Sequence, residues 1–169
     1  MIHVYFTHGD PFSFGAWAVR ADTQRPGQAW QDVPAHCGII LSPDISPEPG
    51  NPLGVVYEMI STGWHTRAAT KKDFAWSVEM PGLDEAKARS FVVTSQRASY
   101  CWLTILLIAA ARCVPDRWFS CTMQMHKNIC SWYAKRYLMD ADWPCPHWLA
   151  EQYVPESPND IWFAVRPKS

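Results

Sequence analysis

Residues 34–41 read PAHCGIIL, a segment in which a histidine precedes a short apolar run. Residues 37–41 are apolar and β-branched, which predicts a buried core strand. His36 opens this segment, and Gly38 follows two residues later, where the missing side chain allows another backbone or helix to approach closely. The segment therefore puts a titratable side chain at the edge of a predicted core.

The flanking sequence changes from a two-residue to a helical period. Residues 2–7 alternate between apolar and polar, which predicts a half-buried strand. Further strands are predicted over residues 54–60, 64–67, 74–80 and 161–165, and helices over residues 12–20, 84–96, 100–113 and 125–138. Strands that come first, then helices, then a closing strand favour an α+β fold.

The length and the net charge of the chain limit the classes of protein to which it can belong. The chain has 169 residues, which predicts a single domain over residues 1–169. Its formal net charge is −1, a poor match for a nucleic-acid binder, which usually has a basic face. The apolar run at residues 102–111 is about half the length that a bilayer span requires, so no membrane span is expected.

Ten tryptophans make the composition unusual and fit a ligand-binding surface, a docking surface or an aromatic core. Those on or beside predicted elements are expected in the core: Trp17, Trp64, Trp76 and Trp102. Those in the proline-rich C-terminal part are expected to form a docking surface: Trp143, Trp148 and Trp162.

Three polar residues stand on three predicted buried elements. Cys130 lies early on a predicted helix, where the helix dipole and nearby amides favour a thiolate. His36 could act as its base, and Glu58, inside the apolar strand over residues 54–60, could orient the imidazole. Buried cysteines are usually structural, and a strand glutamate can face solvent, so the alternative is that the three never meet.

A metal site is a competing use of the thiols. Five residues in the C-terminal half could provide ligands: Cys121, His126, Cys130, Cys145 and His147. Their spacing matches no common paired zinc knuckle, so neither a metal nor a cofactor is predicted. Because the N-terminal residues show no secretory pattern, the six cysteines are expected to be thiols when the chain is made.

The sequence resembles the circularly permuted papain-like amidases, relatives of the NlpC-type peptidoglycan endopeptidases, in which the His motif precedes the Cys motif. Short segments in matching order carry the resemblance: GD at residues 9–10, AHCGI at 35–39, YE at 57–58, Tyr100 at a helix start, ICS at 129–131 and SPNDI at 157–161. Two positions depart from the family pattern, because Cys101 replaces an Asp and Trp132 replaces a Glu.

The resemblance implies a papain-like α+β unit with an antiparallel sheet packed against the helix that carries the nucleophile. By this resemblance Cys130 is the nucleophile, His36 the general base and Glu58 the orienting residue. Trp132, Tyr100 and Asp10 are expected to contact substrate.

The function expected from the resemblance is cleavage of an amide bond in a peptidoglycan stem peptide. The protein would be made in the cytoplasm and reach the wall in a phage tail or through a secretion machine, with tail or delivery-complex proteins as partners. Two alternatives remain open, an inactive structural or assembly protein of the same fold and a lipid acyl hydrolase or acyltransferase.

Overall fold

A five-stranded antiparallel sheet forms the centre of the molecule. The computed structural model describes residues 1–9, 14–42, 53–60, 62–88, 90, 129–150 and 156–167. The strands are β1 (Ile2–Thr7), β2 (His36–Leu41), β3 (Val55–Ile60), β4 (Gly63–Ala68) and β5 (Ser77–Glu79), in the spatial order β4-β3-β2-β1-β5. Together with the helices below, this sheet confirms the predicted α+β class.

Helices accompany the sheet in the described part of the chain. They are α1 (Phe14–Thr23), α2 (Lys71–Ala75), α3 (Cys130–Asp140), α4 (His147–Ala150) and α5 (Pro158–Val165), and residues 85–88 are also helical. The predicted helix over residues 100–113, most of that over residues 84–96 and the first residues of that over residues 125–138 lie outside the described residues. The last of these helices begins at Cys130, since Ile129 before it has an extended backbone.

Strand pairing sets which residues of neighbouring strands lie side by side. Tyr5 of β1 is opposite Gly38 of β2, and Thr7 is opposite His36, at the end of the ladder. Glu58 of β3 is opposite His65 of β4. This register gathers polar side chains from four strands toward one end of the sheet.

Both faces of the sheet are covered. On one face, Ile39 and Cys37 of β2 pack in a cluster with Ala134, Leu138 and Ile161 from α3 and α5. On the other face, a second buried cluster contains Tyr5, Ile40, Val56 and Ala69, against which Phe74 of α2 packs. Because of this second layer Tyr5 has no exposed surface, whereas alternation in β1 predicted a strand buried on one face only.

Of the strands predicted over residues 161–165 and 74–80, the first is wrong and the second is longer than the strand in the structure. Residues 161–165 belong to helix α5, because Ser157 caps the helix, Pro158 occupies its first turn and the Asp160 carboxylate accepts from the Ser157 amide (2.9 Å). The strand predicted over residues 74–80 covers only Ser77–Glu79, because Asp73 accepts from the Thr70 amide at the start of α2.

The tryptophans also distribute differently from the prediction. Trp64 and Trp76 pack against the core as expected, but Trp17 is 56% exposed. Trp143 and Trp162, expected at a docking surface, pack against the core instead, while Trp148 is exposed. Trp102 lies outside the described residues.

Candidate active site

Cys130 is the first residue of helix α3 and is almost fully buried. The first intrahelical bond runs from the Tyr133 amide to the Ile129 carbonyl (3.1 Å), so Cys130 lies where the helix dipole is positive. Ser131 holds this end in place, because its buried hydroxyl donates to the Glu156 carbonyl next to α5. The serine of the Cys-Ser pair thus anchors the helix start.

His36 stands at the beginning of β2, with 19% of its side chain exposed. Its Nε2 lies 2.8 Å from Glu58 Oε2. His36 and Cys130 also interact electrostatically, and each shifts the pKa of the other. With Nε2 bonded to the carboxylate, Nδ1 is the ring nitrogen left for the thiol.

Glu58 is buried and surrounded by donors. The Tyr5 hydroxyl donates to Oε2, Arg67 Nε donates to Oε1 at 2.9 Å, and His65 Nδ1 lies 3.5 Å from the same oxygen. Burial alone would raise the pKa of this carboxyl group. The hydrogen bond and charge of His36, with the bonds from Tyr5 and Arg67, outweigh burial and lower the pKa to about 2.

Arg67 is itself held by a second carboxylate. Its guanidinium donates to both oxygens of Asp73, at 2.8 and 2.7 Å. The Thr70 amide and hydroxyl also donate to Asp73, at 2.7 and 2.8 Å. These contacts, led by the Arg67 bond, lower the pKa of Asp73 to about 2, so the start of α2 fixes the orientation of Arg67 toward Glu58.

Gly38 makes room for the tyrosine that joins this network. A Cβ atom on Gly38 would lie 2.5 Å from Tyr5 Cε1 and 3.0 Å from the Tyr57 carbonyl oxygen. The Tyr5 hydroxyl also lies 3.4 Å from His36 Nε2. Burial, followed by the charge of Glu58, raises the pKa of Tyr5, so the phenol stays neutral and acts as a donor.

The electrostatics favour a charged pair between Cys130 and His36. A hydrogen bond from the Cys37 thiol holds the pKa of Cys130 well below its usual range, and the charge and hydrogen bond of His36 act in the same direction against burial. Burial would lower the pKa of His36, but the Cys130 thiolate and the bonds to Cys130 and Glu58 raise it to about 10. Both shifts favour a thiolate and an imidazolium over the neutral pair.

The structure brings together the three residues assigned to the triad. Trp132, expected at the substrate, is half-buried with its ring 4.9 Å from that of Tyr133, and both belong to an apolar cluster that includes Cys130, Met59 and Trp64. Asp10 and Tyr100, the other two expected substrate contacts, lie outside the described residues.

Four residues of the network did not follow from the sequence. They are Tyr5, Cys37, Arg67 and Asp73. For Tyr5 the sequence did give an indication, because Gly38 predicted that another group packs closely against β2. That group is the Tyr5 ring and not a backbone or a helix. A signal existed for Arg67 too, because it ends the predicted strand next to Glu58.

The alternative metal site finds no support in the described residues. Cys121 and His126 lie outside them, and Cys130 packs in an apolar cluster with Met59 and Tyr133. Cys145 donates to the Pro146 carbonyl (3.8 Å). Within the ranges given above, no three His, Cys, Asp or Glu side chains are grouped so that they could hold a metal ion.

Comparison with known proteins adds no relative. No protein-family model, no curated protein and no solved structure matches the chain. Among the described residues, no helix is both long enough and apolar enough to cross a membrane. Only the geometry around His36 and Cys130 indicates a function.

Proposed function

We propose that the protein is a cysteine hydrolase that cleaves an amide bond, with Cys130 as the nucleophile. The observation that carries the proposal is the hydrogen bond of His36 Nε2 to Glu58 Oε2 (2.8 Å), with Cys130 at the start of α3 near enough to His36 for the two to shift each other's pKa. A nucleophile, a base and a group that orients the base are the parts that acyl transfer through a thiol requires. We also propose that the sheet and α3 form a permuted papain-like unit, as the order of the motifs suggests.

In the proposed mechanism the thiolate of Cys130 attacks the substrate carbonyl carbon, and a carbon–sulfur bond forms. The developing oxyanion is stabilised at the start of α3, where the Cys130 amide and the helix dipole lie. His36 gives its proton to the leaving nitrogen, the carbon–nitrogen bond breaks, and an acyl-enzyme remains. Neutral His36 then deprotonates a water that releases the acid and regenerates the thiolate.

Glu58 serves as a positioning residue in this scheme. It accepts from Nε2 of His36, which directs Nδ1 toward the sulfur and stabilises the imidazolium. Arg67 and Tyr5 keep Glu58 ionised and fixed in place. Asp73 in turn fixes Arg67, so four protein groups hold the imidazole before substrate binds.

For the substrate we propose a peptidoglycan stem peptide, on the resemblance of the motifs around His36 and Cys130. The test is incubation of the full chain with purified sacculi and muropeptides, followed by mass spectrometry of the soluble products. We expect new amine and carboxyl termini in the stem peptide, lost in Cys130→Ala and reduced about 10²-fold or more in His36→Ala.

Cys145→Ser provides the matched control, because it removes a thiol away from the network. It should cleave like the wild type. A chain that cleaves no wall peptide and whose Cys130 is not selectively alkylated by iodoacetamide at neutral pH would contradict the hydrolase proposal and favour the structural or assembly protein.

A lipid acyl hydrolase or acyltransferase is the second candidate. The observation that favours it is the apolar surrounding of Cys130, which includes Met59, Trp64, Trp132 and Tyr133. An acyl chain would fit beside such side chains, whereas a stem peptide carries several charges. This candidate predicts an acyl-thioester on Cys130, detected as a mass increase of the intact protein after incubation with short-chain acyl esters.

A further inference from the structure

A cavity of about 410 Å³ lies beside helix α5, and none of the proposed catalytic residues lines it. One wall comes from the segment over residues 26–32. The other comes from Trp162 and Phe163 of α5 and from Arg166, which caps that helix. Sites for small molecules commonly have volumes of about 300–1,000 Å³ and combine apolar surface with a few polar groups. The cavity has that size and that mixed lining.

Two side chains of opposite charge line this cavity, and neither forms an ion pair in the part of the chain that the structure describes. They are Arg166, at the end of α5, and Asp32, in the segment over residues 26–32. The neighbouring Arg25 differs, because its guanidinium is paired with Asp160 at 3.1 Å. One cation and one anion of the lining are therefore available to a ligand.

The residues that carry these two charges are held by other contacts. The guanidinium carbon of Arg166 lies 3.9 Å from the centroid of the Phe163 ring, and the Arg166 amide donates to the Trp162 carbonyl (2.9 Å). The Asp32 carbonyl accepts from Gln28 Nε2 (2.8 Å). Groups that are already positioned lose less conformational entropy when a ligand binds, which favours binding.

The two walls of the cavity are also joined to each other. Gln28 Nε2 donates to Asn159 Oδ1 (2.9 Å), and Asn159 Nδ2 donates to Gln28 Oε1 (2.9 Å), which links the segment over residues 26–32 to α5. The Trp162 ring packs with its centroid 5.2 Å from that of Phe6 and 5.7 Å from that of Trp76. The shape of the cavity is therefore set by the fold.

We propose that this cavity binds a small zwitterion with a free ammonium and a free carboxylate group, the chemistry of an amino acid or a dipeptide. Arg166 donates to the carboxylate, Asp32 accepts from the ammonium, and the Trp162 ring contacts the apolar atoms of the ligand. A ligand with only one of the two charges leaves the other side chain without a partner and binds more weakly. This site does not require the protein to hydrolyse an amide.

The experiment titrates the full chain with alanine and with alanylalanine by isothermal titration calorimetry at low ionic strength, where charged groups are screened least. We expect saturable binding of at least one of them, and the tighter of the two shows which separation of charges the cavity accepts. The N-acetylated and the amidated forms of that ligand each lack one charge. Each should bind about tenfold more weakly, the effect of losing one charge-assisted hydrogen bond.

Substitutions of the two charged residues assign the binding to this cavity. Asp32→Asn should bind the zwitterion about tenfold more weakly and no longer distinguish it from the N-acetylated form. Arg166→Gln should no longer distinguish it from the amidated form, whereas Arg166→Lys keeps the charge and should still do so. Arg136→Gln, at an exposed arginine of α3, is the matched control and should bind like the wild type. Urea denaturation checks that each variant is folded.

Four results would overturn the proposal. They are no saturable binding of either compound, equal binding of the blocked forms, unchanged binding in both Asp32→Asn and Arg166→Gln, and loss of binding in Cys130→Ala, which would place the ligand at the proposed nucleophile. The readout is the heat of binding. A chain that binds the zwitterion but cleaves no amide would therefore refute the hydrolase alone, and a chain that cleaves but binds neither compound would refute this inference alone.

Discussion

At the scale of single residues, Glu58 shows how a carboxylate is kept ionised inside a sheet. A buried carboxylate is costly unless its charge is balanced and its oxygens accept hydrogen bonds. Arg67 and His36 provide the charge, and Tyr5 adds a neutral donor. Removal of the Glu58 charge would leave Arg67 and His36 facing each other without the anion between them.

The stability of the protein should therefore fall in acid. The pKa of Glu58 is about 2 in the folded chain against a usual 4.5, and that of Asp73 is about 2 against 3.8. Lowered carboxyl pKa values add stability that is complete above the usual pKa and is lost as the pH falls toward the folded pKa. We expect the free energy of unfolding, measured by urea denaturation, to drop between about pH 4.5 and 2.

Glu58→Gln tests this assignment. The variant should be less stable than the wild type at pH 6, and its stability should fall less steeply between pH 4.5 and 2. A slope equal to that of the wild type would show that Glu58 is not the group that titrates. Above pH 6.5 the raised pKa of His36 and the lowered pKa of Cys130 have opposite effects on proton uptake, so little change is expected up to about pH 9.

Gly38→Ala is expected to damage both stability and reactivity. The new methyl group would lie 2.5 Å from Tyr5 Cε1, so the ring must move away from Glu58. Overpacking of this kind costs about 1–3 kcal/mol. The measurements are urea denaturation and the rate of Cys130 alkylation at pH 6.

Tyr5→Phe is the matched background for that substitution. It removes the hydroxyl but keeps the ring carbon that the new methyl group would contact. Gly38→Ala should therefore cost as much in Tyr5→Phe as in the wild type. A clear loss of the effect in that background would mean that the hydroxyl, and not the ring, makes the site intolerant of a side chain.

At the scale of helices and strands, helix caps explain where the secondary structure predicted from the sequence pattern is wrong. Residues 161–165 read IWFAV, which has the composition of a strand, yet they form a helix because Ser157 and Asp160 bond to each other's backbone amides. The strand over residues 37–41 could be predicted from its apolar run, because all five of these residues are buried. The pairing of Arg67 with Asp73 could not be predicted, because it depends on the first turn of α2, where Asp73 lies six residues after Arg67.

Two substitutions at helix caps distinguish a loss of stability from a change in the reactivity of Cys130. Ser157→Ala and Thr70→Val each remove a hydroxyl that bonds an aspartate at a helix start, at 2.8 Å in both cases. Loss of such a cap costs about 1 kcal/mol, and both variants should show it in urea denaturation. Only Thr70→Val should also raise the pH midpoint of Cys130 alkylation, because Asp73 holds Arg67 toward Glu58.

Equal alkylation profiles in the two variants would contradict the role given to Asp73. A shift in Ser157→Ala alone would instead indicate that the start of α3 depends on the segment around Glu156, through Ser131 and Lys135.

At the scale of the whole molecule, the sheet has one layer of structure on each face, and the site lies where strands and helix meet. Cys130 approaches from the α3 layer, while Tyr5 and Glu58 are joined to the α2 layer through Arg67. His36, at the end of β2, connects the two. The three residues proposed as a triad could be predicted as residue types on buried elements. The second layer that holds Glu58 could not, because alternation in β1 assigned Tyr5 to solvent.

Asn159 ties the C-terminal helix to the N-terminal half. Its fully buried side chain donates to the Thr23 carbonyl (2.7 Å) and to Gln28 Oε1 (2.9 Å). Asn159→Ala removes both bonds from these part-buried acceptors, and at about 0.5–1.5 kcal/mol for each bond the free energy of unfolding in urea should fall by about 1–3 kcal/mol. The alkylation profile of Cys130 should not change.

Arg136→Ala is the comparison for that variant. It removes a surface ion pair with Asp140 at 3.6 Å, and exposed pairs contribute about 0–1 kcal/mol. A loss in Asn159→Ala no larger than in Arg136→Ala would refute the role of Asn159 as a cross-link.

The sign of the charge changes at each step from Cys130 through His36, Glu58 and Arg67 to Asp73. Such a row has a strong field between neighbours, and a few ångströms outside only one net negative charge of the three anions and two cations remains. The reactive centre therefore does little to attract or repel a charged substrate from solution. Capture of substrate should depend only weakly on ionic strength, and selection among substrates is left to the surfaces that flank the row.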